Sequence, residues 1–258
     1  MSMRRALSAG TVLITAMAAC VTQPKPVAAP IPRPPPPHVP GCSPEMVRVD
    51  EYCIDRWEDY VVELDDRGHE SPHSPYDVVD DLVVRAKSAG GVVPQGYISR
   101  VQSAKACASA GKRLCTGKEF VNACDGGNPT VLYPYGGTTR KKGACNEGKG
   151  SSMVHLFGWD AHKWTEAGFN DPRLNQWEGG LAKTGAFPEC VSPAGVYDCV
   201  GNLHEWVDEP DPRGHGRFRG GFYGDAEANG SGCTYVTNAH APTYHDYSTG
   251  FRCCSAVK

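Results

Sequence analysis

Charge of one sign is scarce in this sequence: 26 Lys and Arg stand against 29 Asp and Glu, a formal net charge of −3. No basic patch is present of the kind that neutralises nucleic-acid phosphates, which argues against a nucleic-acid partner, and no charged run is long enough to act as an interaction tail. Long apolar runs are missing too. The stretch from Ala6 to Ala19 falls short of the roughly 20 residues that a bilayer-spanning helix takes. What the chain does have is 30 Gly, 21 Pro and 12 Cys in 258 residues, enough length for one domain with a sizeable core, rich in loops.

Residues 1–20 read as an export signal, with Arg4 and Arg5 as the basic region, Ala6 to Ala19 as the apolar stretch and Ala18-Ala19-Cys20 as a small-residue cleavage site. Met17-Ala18-Ala19-Cys20 resembles the bacterial lipoprotein signal, in which the cysteine is lipidated and becomes the new N-terminus, with Met17 where Leu is usual. The competing reading is a secreted protein whose Cys20 leaves with the signal or stays as a spare thiol. Residues 21–41 are proline-rich and suit an extended tether between a membrane anchor and a folded domain at 42–258, or a ligand for a partner's aromatic groove. The expected place is the bacterial envelope, as an outer-membrane lipoprotein facing an oxidising compartment.

Cys42 to Glu58 reads as two short strands turning near Asp50-Glu51, closed by a Cys42–Cys53 bridge, with Met46, Val47, Val49, Ile54 and Trp57 as its apolar face. Residues 59–97 are polar and read as irregular, and His69 and His73 within them as loop residues. Ser99 with Gln102, and Thr116 with Glu119, form capping boxes, so a short helix is expected at each. The first should end at Gly111 and bury Val101, Ala104, Cys107 and Ala108. Glu119 is explained as a cap. Residues 125–195 suggest long packed loops, with Trp159, Trp164 and Trp177 as anchors in the core, although a partly exposed pair could stack on a sugar or an aromatic side chain.

The densest stretch is Ala194–Asp208, AGVYDCVGNLHEWVD. Asp198, Gly201, Leu203 and Glu205 stand at i, i+3, i+5 and i+7, so a loop curling once could aim two carboxylates and two backbone carbonyls at one point, a ligand set suited to Ca²⁺. On spacing alone, Asp198 and Glu205 capping turns explains the pattern as well.

Val196–Val207 resembles the G-[LV]-Y-[DN]-x-x-G-N-x-x-E-W segment of the formylglycine-generating enzyme, or sulfatase-modifying factor, family. Further blocks match in order: Lys112–Cys124, Tyr133–Gly136 (YPYG), Arg219–Gly221 (RGG) and Gly250–Cys253 (GFRC). The resemblance implies an α+β, C-type-lectin-like fold, loop-rich and disulfide-bonded, with calcium at Asp198, Gly201, Leu203 and Glu205. Asn175-Gln176-Trp177 resembles the start of the family's other calcium site, but the acidic residues that complete it are not found before Cys190. The family's G-G-x-F-x-M-G opening is also missing.

An exported chain should pair most of its cysteines, and removing Cys20 leaves an odd number. The resemblance implies Cys107–Cys253 and Cys124–Cys233. It also places Cys199 at an apolar core position, as a buried free thiol. Cys115–Cys254 and Cys145–Cys190 then follow by elimination, although sequence by itself does not fix connectivity.

The family's best-known members oxidise a substrate cysteine with O₂ and a copper ion held by two thiolates, in the pattern R-G-G-S-x-x-C-x-x-x-x-C. Here Phe222 stands at the serine, Asp225 at the first cysteine and Gly230 at the second, so that activity is not expected. An iron-using branch draws its histidines mainly from a preceding helical bundle, and only a signal and a tether precede this domain. The expectation is therefore a calcium-stabilised binding or accessory module whose groove takes an envelope protein, a peptide or a glycan. The alternative is a non-haem iron or copper oxidase drawing on His240, His245, Asp225 and Asp246, with His204 nearby; read without that chemistry, these are polar loop residues and a packed histidine.

Overall fold

The computed structural model describes residues 40–209 and 211–258. The stretch read as an export signal, Cys20 expected as its lipidation site, and most of the proline-rich stretch expected as a tether lie outside these residues. The chain opens on β1 (Met46–Val49) and β2 (Tyr52–Asp55), an antiparallel hairpin in which Val49 faces Tyr52. Asp50 takes the left-handed conformation (φ 49°) that the tight turn needs. Met46, Val47, Val49 and Ile54 are buried, as their apolar character dictates.

Residues 59–97 are not irregular throughout. They hold β3 (Asp59–Leu64), β4 (Glu70–Pro72) and β5 (Val84–Ser88), joined as an antiparallel sheet in the order β4-β3-β5. Val61, Val84 and Ala86 point into the core while Tyr60, Arg85 and Lys87 line the outer face, an alternation of period two. Next come α1 (Arg100–Ser109), β6 (Arg113–Leu114) and α2 (Gly117–Asp125). Both helices start on reciprocal capping boxes, Ser99 with Gln102 and Thr116 with Glu119. The buried face of α1 is Ser103, Ala106 and Cys107. Val101 and Ala108, expected inside, face solvent, because the bridge from Cys107 to Cys253 sets the helix's rotation.

The long loop region carries α3 (Ser152–Phe157) and α4 (Glu166–Phe169). It is followed by β7 (His204–Val207), β8 (Arg217–Arg219), β9 (Val236–Thr237), β10 (Thr249–Phe251) and β11 (Cys253–Ala256). One sheet runs β1-β2-β11-β6 and another β10-β7-β8-β9, with β10 and β7 parallel. Strands from the chain's end thus sit against both its start and its middle.

Cys42–Cys53, Cys107–Cys253, Cys115–Cys254, Cys124–Cys233 and Cys145–Cys190 are bridged, and Cys199 is a buried free thiol. Three bridges close loops of more than 100 residues, and each should stabilise by about 3–5 kcal/mol through restriction of the unfolded chain. That offsets the shortage of regular hydrogen-bonded structure between 125 and 203.

Candidate functional site

The turn entering β7 is the most tightly specified part of the chain. Asp198 (φ 60°), Gly201 (φ 79°) and Asn202 (φ 56°) are all left-handed, so the backbone curls twice within five residues. At Gly201 a Cβ would overlap the carbonyl oxygen of Asn146, so close approach as well as φ requires glycine. Asn202 is the hub. Its Nδ2 donates to Glu58, and its Oδ1 accepts from Asn146 Nδ2 (2.9 Å) and from the Ala182 amide (3.0 Å). Glu58 Oε1 also accepts from the Leu203 amide at 3.0 Å, which fixes the turn from beneath.

Of the four residues singled out for calcium, the structure turns the two carboxylates inward. Asp198 Oδ2 accepts from the Gly185 amide at 2.7 Å, and Glu205 is forked by Arg252, with Nη2 to Oε1 at 2.6 Å and Nε to Oε2. Arg252 donates further to the Tyr197 carbonyl at 2.9 Å. Glu58, Asp198, Glu205 and Arg252 are all buried; the guanidinium bonds Glu205, and its charge acts on Glu58 and Asp198 through space. Burial, with the charges of Asp198 and Glu205 beside it, pushes the Glu58 carboxyl well above its usual range. Burial likewise raises Asp198 to about 7. Arg252 stays a cation against the cost of burial because Glu205 faces it. The donors suit calcium in type, being carboxylate and carbonyl oxygens. Glu205, however, already has both oxygens on Arg252.

The second candidate set is not gathered into a ligand sphere. His204 is buried, its Nδ1 3.2 Å from Ser248 Oγ and its Nε2 3.2 Å from the Tyr235 hydroxyl, and burial pushes its pKa down to about 3. His240 stacks between Tyr244 and Phe218. His245 Nδ1 sits 2.8 Å from the Asn170 amide oxygen. Asp246 accepts from Ser248 Oγ (2.7 Å) and Tyr244 (2.6 Å), while Asp225 Oδ1 caps a turn at the amides of Glu227 and Ala228. Asn175 is also spent internally, on Tyr247 and Tyr223. His69 and His73 bind separate carboxylates, Asp65 and Glu63. Among the described residues, one His/Cys/Asp/Glu trio has its ligand atoms within 4.8 Å of one another, Asp59 with Cys107 and Cys253, and there the two sulfurs are bonded to each other.

Trp159 and Trp164 are not anchors in the core. They are 80% and 36% exposed and lie parallel, 5.5 Å apart and 4° from coplanar. Trp177 does pack inward, its Nε1 donating to Ser152 Oγ at 2.9 Å. Glu58, Asn146, Asn202 and Arg252 were not singled out from the sequence. Asn202 and Arg252 stand inside motifs quoted for other positions, and Asn146 has no local signal.

The family model for the sulfatase-modifying factor enzyme 1-like domain matches residues 49–257. The chain belongs to that family. Its fold is accordingly the α+β, C-type-lectin-like one. The mouse formylglycine-generating enzyme is 31% identical over 118 residues, which is 45% of this chain and 27% of that enzyme. Among solved structures, the Major Tropism Determinant I1 variant superposes with a TM-score of 0.45 at 14% identity, over 82% of this chain and 52% of that one. The P3c variant gives 0.44 at 13% identity, over 83% and 53%.

Proposed function

We propose that this sulfatase-modifying-factor domain is an envelope-tethered binding or accessory module, stabilised by calcium and without formylglycine-generating activity. The observation that supports the loss of that activity is the thiol inventory. Of the described cysteines only Cys199 is free; it is walled in, and burial pushes its thiol up to about 12. A copper ion held by two thiolates has no donors to use. At the positions of the family's reactive residues, Phe222 packs 4.9 Å from the His204 ring and Asp225 serves as a turn cap. In this reading the domain contributes a shaped surface to a peptide, a glycan or an envelope protein.

Calcium at the turn before β7 is supported by donor type: Glu58, Asp198 and Glu205 lie with one cation, Arg252, and a divalent ion would take the place of the protons that burial favours on Glu58 and Asp198. The ion would be held by Asp198 and by the carbonyls of Gly201 and Leu203, with Glu205 shared between it and Arg252. Melting in calcium and in chelator at pH 8 tests this. Calcium should raise the melting temperature by several degrees, and Asp198→Asn should remove that rise. An identical curve in both buffers would sink the site.

The tether rests on the Cys20 signal and the proline-rich stretch that follows it. Cys20→Ser should move the protein from the membrane to the soluble fraction. Retention in the membrane would count against lipidation.

A further inference from the structure

The segment from Trp159 to Phe169 carries a feature that the calcium turn and the disulfide frame leave unused. Trp159 and Trp164 flank a single 3₁₀ turn at Ala161–Lys163, and their indoles stack almost parallel, with Trp159 the more exposed of the two. The presentation is built. Asp160 Oδ1 accepts from the His162 amide at 3.0 Å and Thr165 Oγ1 from the Gly168 amide at 3.2 Å, capping consecutive turns. Gly168 lets the chain pass against the Lys163 carbonyl, where a Cβ would overlap. Trp164 meets Phe169 edge to face at 6.1 Å, and the Phe169 carbonyl accepts from the Tyr247 amide at 3.1 Å. The platform is therefore pinned to the core at one end and open to water at the other.

Leaving so much indole surface in water forgoes the stabilisation that its burial would bring. A rigid exposed pair is thus a candidate recognition surface. Its chemistry selects the partner. Lys163 is outnumbered by Asp160 and Glu166 in the same exposed loop, so the patch lacks the net positive charge that anionic headgroups require. The two rings lie on each other and leave no furrow between them for a polyproline ridge. What remains is a flat indole face edged by carboxylate, imidazole and ammonium groups. That suits an uncharged pyranose, whose axial C–H face stacks on the ring while its equatorial hydroxyls reach the rim.

We infer that Trp159 and Trp164 form a glycan subsite for β-1,4-linked pyranose chains, in which every residue offers such a face. This rests on the binding-module reading above and names a ligand class for it. It does not depend on calcium.

The test is fluorescence titration of the full-length protein with the β-1,4-linked N-acetylglucosamine hexamer, in chelator and in calcium. Maltohexaose, anionic phospholipid vesicles and a peptide of residues 21–41 serve as comparison probes. The inference expects saturable quenching or a blue shift with the β-linked hexamer in both buffers. Trp159→Ala should weaken binding at least tenfold, and Trp159→Phe should restore part of it. Trp159 is too exposed for its loss to unfold the domain, and an unchanged melting curve for Trp159→Ala would verify that. No saturable response to the hexamer, equal affinity in Trp159→Ala, or stronger binding to the vesicles or the peptide would overturn it. Binding of the hexamer that survives in Trp159→Ala would leave a glycan-binding module standing and remove this subsite from it.

Discussion

Two buried acidic groups lie against the same short stretch of chain, and each has one cation. Around Arg252, the carboxylates of Glu58, Asp198 and Glu205 each accept a hydrogen bond from an amide, an asparagine or the guanidinium. Around Lys112, Asp55 Oδ1 accepts from the ammonium at 2.6 Å and Glu45 is paired at 2.8 Å. Asp55 Oδ2 and both oxygens of Asp59 find no donor, although all are buried. The difference lies first in the other donors: backbone amides and Asn202 reach Asp198 and Glu58, while none reaches Asp59 or Asp55 Oδ2, and the shape of the cation adds to it. A guanidinium offers a planar fork of five N–H donors and can serve Glu205 and a backbone carbonyl together, whereas an ammonium is a point charge that reaches its nearest acceptors and leaves the rest. Unserved carboxylates in a dry site are neutralised by protons, and the Asp55 and Asp59 carboxyls touch. One group thus meets its acidic oxygens with donors, although burial still raises Glu58 and Asp198, and the other leaves them to share a proton.

The largest effect should come from Arg252→Met. Removing the guanidinium leaves three buried carboxylates without their counter-charge and unties the end of the chain from Tyr197, so unfolding in urea should show a loss of about 3–5 kcal/mol. Arg252→Lys should recover only part, since an ammonium cannot reproduce the fork. A loss under 1 kcal/mol in Arg252→Met would mean that the carboxylates are already protonated, which would erase the contrast between the two groups.

Much of this frame could be read in advance because it depends on local pattern. The Cys42–Cys53 hairpin has its turn residue in the sequence, and both capping boxes are reciprocal in the structure, each a matter of three or four residues. Glycine at 201 likewise announces a close approach that the Asn146 carbonyl supplies. The sheet of β3, β4 and β5 was harder to see. Its strands alternate, but Tyr60, Arg85 and Lys87 on the outer face make short segments look polar throughout. In α1, Ala and Ser at half of the positions give little amphipathic stripe, so the face is chosen by a bridge to Cys253, 146 residues on. Trp159 and Trp164 misled because large aromatics are usually buried, and nothing in their spacing says that a capped turn holds them outward. The acidic groups were the least legible. Glu205 is 47 residues from Arg252 and Glu58 is 144 from Asn202, so which carboxylate meets which donor is fixed only by the fold.

Asp59→Asn probes the other side of the contrast, with a smaller effect that depends on pH. Burial and the charge of Asp55 push the Asp59 carboxyl well above its usual range, and burial pushes Asp55 up to about 6. A raised carboxyl binds its proton more tightly in the folded chain than in the unfolded one. The stability this gives is fully present below the unfolded range near pH 4 and is lost as pH rises through the folded values. In calcium-free buffer these carboxyls, with Glu58 raised well above its range and Asp198 to about 7, should lift the wild-type urea midpoint at pH 5 above that at pH 8, against a partial offset from buried His204, pushed down to about 3. Asparagine at 59 keeps the shape of the protonated acid and offers Asp55 Oδ2 an N–H in place of the shared O–H. It should match the wild type to within about 0.5 kcal/mol at pH 5. At pH 8, where the wild type must either hold the proton or bury a second charge beside Lys112, the variant should be the more stable. A variant weaker by several kcal/mol at pH 5 would show that Asp59 is ionised and held by Lys112, and that the ammonium serves its carboxylates as fully as the guanidinium serves its own.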